Sequence, residues 1–281
     1  MSEENVVYHI DFSDVANPIN SGVLRAFSVV TLALNIYKNE TIDLYPYEQH
    51  EAGGIPVQIL PDEMDDAQLL KHKEVFLQWV IGNALTELIE MFGIFLDCVY
   101  SKIVLVSKST NSNGHQQLTT DDINTSEEET RKFEWDGLEN KLKKLDKFSI
   151  KTDKLTHMKT WLIARHCLTH RAGIVGLGPS GKQDLNDGDS LTITWNFLTG
   201  YKLFENGIRE RYVMGETGDF KLEMVGEEQS VSIPKGERIN LHPVQFGQIC
   251  VNVQAAAQDI LASMYEYLAS KGIHPVFTNE E

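Results

Sequence analysis

The chain has 281 residues, 42% hydrophobic and 23% charged, a globular composition that excludes wholesale disorder. Its 41 acidic residues outnumber 25 basic ones; the net charge of −16 favours solubility and excludes a general nucleic-acid coat protein. Cys98, Cys167 and Cys250 lie far apart in apolar helical patterns, which excludes a disulfide frame or zinc knuckle and fits buried thiols in a reducing compartment.

The N-terminal stretch MSEENVVYHIDF is acidic and lacks the basic-then-apolar order of a signal peptide. From Asn20 to Asn39 apolar residues recur (Val23, Leu24, Phe27, Val30, Leu34), predicting a helix or a mixture of helix and strand. Residues 40 to 62, with Gly53, Gly54, Pro56 and Pro61, predict a loop or a small extended element. The strongest helical signal runs from Asp65 to Ser107, where Phe76, Val80, Leu85, Leu88, Phe92 and Val99 keep helical spacing. Gly82 and Gly93 are placed to kink this helix or to admit a close neighbour. Glu87, Glu90, Asp97 and Lys102 interrupt its apolar stretch too often for a bilayer, so it reads as a core helix of a cytoplasmic protein, with no membrane partner.

Residues 108 to 126 are polar and predict an exposed, mobile loop. Ser126 and Glu129 read as a capping box for a charged helix reaching about Phe148, with Lys141 to Lys147 as a solvated face. A second helix is predicted from Asp153 through His170, with Leu155, Met158, Trp161 and Leu162 as its stripe and Gly173 as its stop. Leu191 to Phe197 alternates as a strand; Arg211 to Val213, Phe220 to Val225 and Ser230 to Ile233 are further extended candidates, with a turn at Asn206-Gly207. Val244 to Ser270 returns to helical spacing. The expected fold is mainly α, a helical bundle over 65–281 with a small antiparallel β insertion at 188–236, α+β overall. Residues 1–64 form an N-terminal region packed on the bundle, with no role assigned.

The segment Arg165-His166-Cys167-Leu168-Thr169-His170 concentrates the chemistry. Arg165 lies three residues after Leu162, at the edge of the apolar stripe, where a guanidinium needs a partner or a purpose. His170 follows five residues later, about 140° further round an ideal helix, so the two do not share a face. Arg165-His166-x-x-x-His170 at a helix end, followed by Gly173, resembles the Arg-polar-x-x-x-His signature of HEPN domains, helical bundles of toxin–antitoxin, phage-defence and RNA-processing proteins. The polar second position, usually asparagine in that family, is His166, and Ala172 stands where some toxin members carry tyrosine.

The resemblance implies metal-independent RNA cleavage by a homodimer whose site takes one motif from each protomer, with an antitoxin or defence-system protein as partner. His170 would then be the general acid/base, Arg165 would neutralise the phosphate, and His166 would orient or polarise. Glu87, Glu90 and Asp97 on the long helix, with Thr169 and Arg171 beside the motif, are supporting candidates. No cofactor or resident metal is expected.

Other readings stand beside this one. Arg165 can pair structurally with Glu87 or Glu90, and His170 can favour the negative end of its helix, giving a non-catalytic RNA-binding or protein-interaction module. His166 and His170, four apart, have zinc-pair spacing, which would make a metal-dependent hydrolase if Glu87, Glu90 or Asp97 supplied a third ligand. Gly173 to Lys182 lacks both the preceding strand and the full order of a phosphate-binding loop, and reads as a turn-rich connection.

Overall fold

The structure, a computed structural model, describes residues 12–39, 65–112, 115–178, 181–204, 207–211 and 221–273. The loop expected at 40–62 lies outside these residues, as do Asn206 of the expected turn, 212–213 of the second strand candidate and Phe220 of the third.

The fold is mainly α with a small antiparallel β component. Helix α1 (Asn17–Lys38) begins after a short 3₁₀ turn, three residues before the periodicity predicts. Helix α2 (Asp66–Lys108) is opened by an Asp65/Gln68 capping box and spans roughly 65 Å at 1.5 Å per residue. The two run antiparallel, joined by Arg25–Glu87 at one end and by Lys73 Nζ donating to the Asn39 carbonyl at the other. Between them Gly22 faces Met91 so closely that an added Cβ would lie 2.6 Å from the methionine Cβ, so only glycine permits this crossing.

Within the segment expected as an irregular loop, β1 (Thr110–Ser112) and β2 (His115–Gln117) pair as short antiparallel strands. Helix α3 (Thr120–Glu134) starts earlier than expected because Thr119 and Asp122 form the capping box. Ser126 instead lies buried within the helix, its hydroxyl donating to the Asp122 carbonyl. The charged helix is two: α4 (Leu138–Asp146) follows a break at Trp135–Gly137. Lys141 is also no solvated residue. It is 5% exposed, 2.5 Å from Asp97 and 5.5 Å from the centre of the Phe133 ring, which itself stacks on Tyr100.

Helix α5 (Leu155–His170) leads into β3 (Ser190–Leu203), β4 (Arg209–Arg211) and β5 (Lys221–Pro234), in sheet order β4–β3–β5, all antiparallel. The two strand candidates at 220–225 and 230–233 fuse into the single β5, paired with β3 from Ser190↔Pro234 to Leu203↔Lys221. Strand β4 covers the other edge of β3 only at Tyr201–Leu203. Along the rest of that edge, side chains do what a strand would do. Asn186 holds both the N–H and carbonyl of Thr192, Thr160 and Trp161 hold those of Thr194, and Asn252 holds those of Asn196.

Helix α6 (Pro243–Ser270), capped by His242 and Gln245, closes the bundle. Gln78 of α2 bonds both backbone groups of Leu241 and fixes where α6 begins. Gln254–Asn20 and the approach of Phe27 to Gly247 lay it antiparallel to α1. One core runs through the described residues, from Ile19 through Phe92, Phe95 and Trp161 to Trp195 and Phe246. Cys167 and Cys250 are buried in it, whereas Cys98 is half-buried; all three are unpaired. Among the described residues one helical segment, Asp14–Lys38, is long and apolar enough to cross a membrane by length and composition, and 28% of its most apolar window is buried in this fold.

Candidate active site

Helix α5 buries Met158, Trp161, Ala164 and Cys167, a register that turns Arg165, His166, Thr169 and His170 outward over its last two turns. Leu155, expected in the apolar stripe, is exposed, since the buried face follows 157–161–164 instead.

Arg165 leans towards α2 and meets Glu90, Nη2 to Oε1 2.8 Å, with about a third of the arginine side chain exposed. Its Nε is buried with no hydrogen-bond partner. Thr169 donates to the Arg165 carbonyl at 2.9 Å. On the neighbouring face the His166 and His170 rings stand 4.8 Å apart, inclined by 55°. The helix stays regular through His170, and among the described residues no contact joins Arg165 to His170.

Of the three acidic candidates on α2, the fold brings only Glu90 to the motif. Glu87 pairs with Arg25 of α1, and Asp97 with Lys141 of α4. Burial pushes the Asp97 carboxyl up even though Lys141 bonds to it. Among the described residues no three His, Cys, Asp or Glu side chains gather to hold a metal ion, so the His166–His170 pair has no third ligand there.

Arg171 turns away from the motif into the connection that follows. Its Nε lies 2.6 Å from Asp184 Oδ2, and its Nη1 donates to the Leu177 carbonyl at 2.7 Å. Asp184 is fully buried and accepts a bond from Gly176 N–H. This clasp, with Gly181 pressed on the Gly176 backbone, makes Gly173 to Lys182 a folded turn; residues 179–180 lie outside the described set. Cys167, beneath the clasp, has its thiol pushed up to about 11 by burial first and then by the Asp184 charge, so it is no nucleophile at neutral pH.

The helix ends on two left-handed residues, Ala172 (φ 51°) and Gly173 (φ 75°), while the Cys167 carbonyl accepts from the N–H groups of Arg171 and Gly173. This turn carries Gly173 to Val175 alongside Gly236 to Ile239, through bonds such as Ile239 N–H to the Gly173 carbonyl. Between that segment, α2 and the end of α5 lies a groove of about 750 Å³. Trp79, Asn83, Thr86, Thr169, Arg238 and Asn240 line it. Sequence reading picked out only Thr169 among these. Trp79 did carry a signal, because it falls outside the buried register of Leu77, Ile81 and Leu85. Arg238 and Asn240 carried none, since 65 residues separate Arg238 from Gly173 in the chain.

No family model, curated protein sequence or solved structure matches the chain.

Proposed function

We propose that the protein is a metal-independent RNA endonuclease of the HEPN type, working as a homodimer. The observation that carries this reading is the outward pair His166 and His170, 4.8 Å apart at the end of a helix whose Arg165 is braced by Glu90. Two imidazoles side by side on one helix face can share the two proton transfers of one cleavage. His170 takes the proton from a ribose 2′-hydroxyl, the resulting alkoxide attacks the adjacent phosphorus, and the 5′ oxygen leaves with a proton given by His166. The products are a 2′,3′-cyclic phosphate and a free 5′-hydroxyl, so protons and electrons balance within the pair. Arg165, with five donors and two of them aligned as a fork, suits the charge that grows on the phosphate oxygens.

The Arg165–Glu90 ion pair also supports a second reading, in which the arginine is structural and the protein binds RNA or a partner without cutting. Purified protein and a generic single-stranded RNA decide between them. His170→Ala is expected to lower the cleavage rate by roughly 10²–10⁴, the span of general acid–base contributions, with Arg165→Ala comparable and chelator without effect. Folded variants that cut as fast as the parent, or a parent that does not cut, would leave the binding module standing; loss with chelator would point to a metal hydrolase.

A further inference from the structure

We infer that the groove between α2 and α5 is a nucleotide-binding subsite, in which Trp79 stacks a base and Arg238 holds a phosphate of single-stranded RNA. The inference rests on the nuclease reading for the identity of the strand, but its evidence lies in the groove.

Trp79 is 64% exposed on a helix whose next turns are buried in the core, so its indole face is offered to the groove and not spent on packing. Exposing that much aromatic surface costs free energy that a stacked base recovers, and every base has a π face to give. Arg238 lines the same groove, exposed, and forms no ion pair among the described residues. At the end of α5, by contrast, Arg165 meets Glu90 and Arg171 meets the buried Asp184. What sets Arg238 apart is its place on the groove that Trp79 also lines, where its planar fork matches a phosphate.

Asn240 adds an amide that can read a base edge, and Asn83, whose amide nitrogen donates to the Trp79 carbonyl, adds its side-chain oxygen. Glu74, also on the groove, repels phosphate and leaves the Arg238 side as the place for it. A volume of about 750 Å³ lies in the range of small-ligand sites and holds more than one nucleotide. The groove borders the end of α5 that carries the motif, where Leu168, Thr169, Ala172 and Gly173 line it. A strand seated here places its next phosphodiester towards the outer end of α5, so the subsite sets which nucleotide flanks the cut.

The test is fluorescence anisotropy of a 5′-labelled RNA hexanucleotide carrying 2′-O-methyl groups, which bind but cannot attack. Trp79→Ala is expected to weaken binding roughly tenfold, in line with losses when a stacking aromatic is removed, and Trp79→Phe to restore most of it. Arg238→Gln is expected to weaken binding and to lower the slope of log affinity against log salt by about 0.7, the loss of one phosphate contact. A 5-iodouracil version of the same RNA should crosslink within residues 74–86. Folded Trp79 and Arg238 variants that bind within twofold of the parent, a parent that does not bind, or crosslinks confined elsewhere would each overturn the subsite. The two readings fail separately. A parent that binds through Trp79 but never cuts unmodified RNA sinks the nuclease alone; one that cuts unchanged in both groove variants sinks the subsite alone.

Discussion

Asn252 shows how far one side chain sets this architecture. It is 2% exposed on α6, and its amide both donates to the Asn196 carbonyl and accepts from the Asn196 N–H. A third bond runs to the Gln248 carbonyl within its own helix. Without it, a strand donor and acceptor sit in the core with no partner, and each such loss costs about 1–3 kcal/mol. Asn252→Ala should therefore destabilise the protein by about 2–4 kcal/mol. Asn186→Ala removes the same pattern of bonds from Thr192, but at an exposed site where water replaces them, and should cost roughly 1 kcal/mol or less. Urea midpoints at constant slope measure both; equal losses would show that burial is not what gives Asn252 its weight.

At the scale of the element, the end of α5 is where conformation and chemistry meet. Ala172 occupies a left-handed conformation that costs an L residue about 1–2 kcal/mol, and it is exposed, so its methyl group gains little in return. Ala172→Gly should therefore be neutral or stabilising by roughly 0.5 kcal/mol, once the greater freedom of glycine in the unfolded chain is subtracted. Gly173→Ala should go the other way by at least about 1 kcal/mol, because φ is 75° and the new Cβ would lie 3.3 Å from the Leu168 side chain. Thermal denaturation of the pair reads the sign of each; a stabilised Gly173→Ala protein would refute the assignment of the left-handed turn.

The same helix shows what sequence made legible and why. Regular apolar spacing placed α2, α5 and α6 within a few residues, and glycine marked the stop, though Ala172 rather than Gly173 is the first left-handed residue. Capping was misplaced because Thr119-x-x-Asp122 and Ser126-x-x-Glu129 are equivalent as strings; only packing against α2 decides which serine or threonine is buried. Strand β5 looked like two pieces because Gly226 to Ser230 face solvent and are polar, while their backbone pairs with β3 without interruption. The motif on α5 was readable because its residues are contiguous. The groove was not, because Trp79, Thr169 and Arg238 come from three elements that only tertiary structure brings together.

For the whole molecule, the central consequence of the fold is that Arg165 and His170 do not converge in one copy. Helix α5 holds its regular form through His170, Glu90 fixes the arginine against α2, and His170 stands with His166 on the adjoining outer face. In the proposed homodimer a single phosphate would be served by the arginine of one protomer and the histidine of the other. This predicts complementation. Arg165→Ala and His170→Ala proteins, each inactive alone, should regain cleavage when mixed under conditions of subunit exchange. Random pairing makes half of the dimers mixed, and each mixed dimer has one site with both groups intact, so about a quarter of the parental sites return. Light scattering shows whether the mixture is dimeric, and a fluorogenic RNA reads the rate. No recovery in a mixture shown to exchange would place both residues in one protomer's site, with a rearrangement of α5 then required to bring them together.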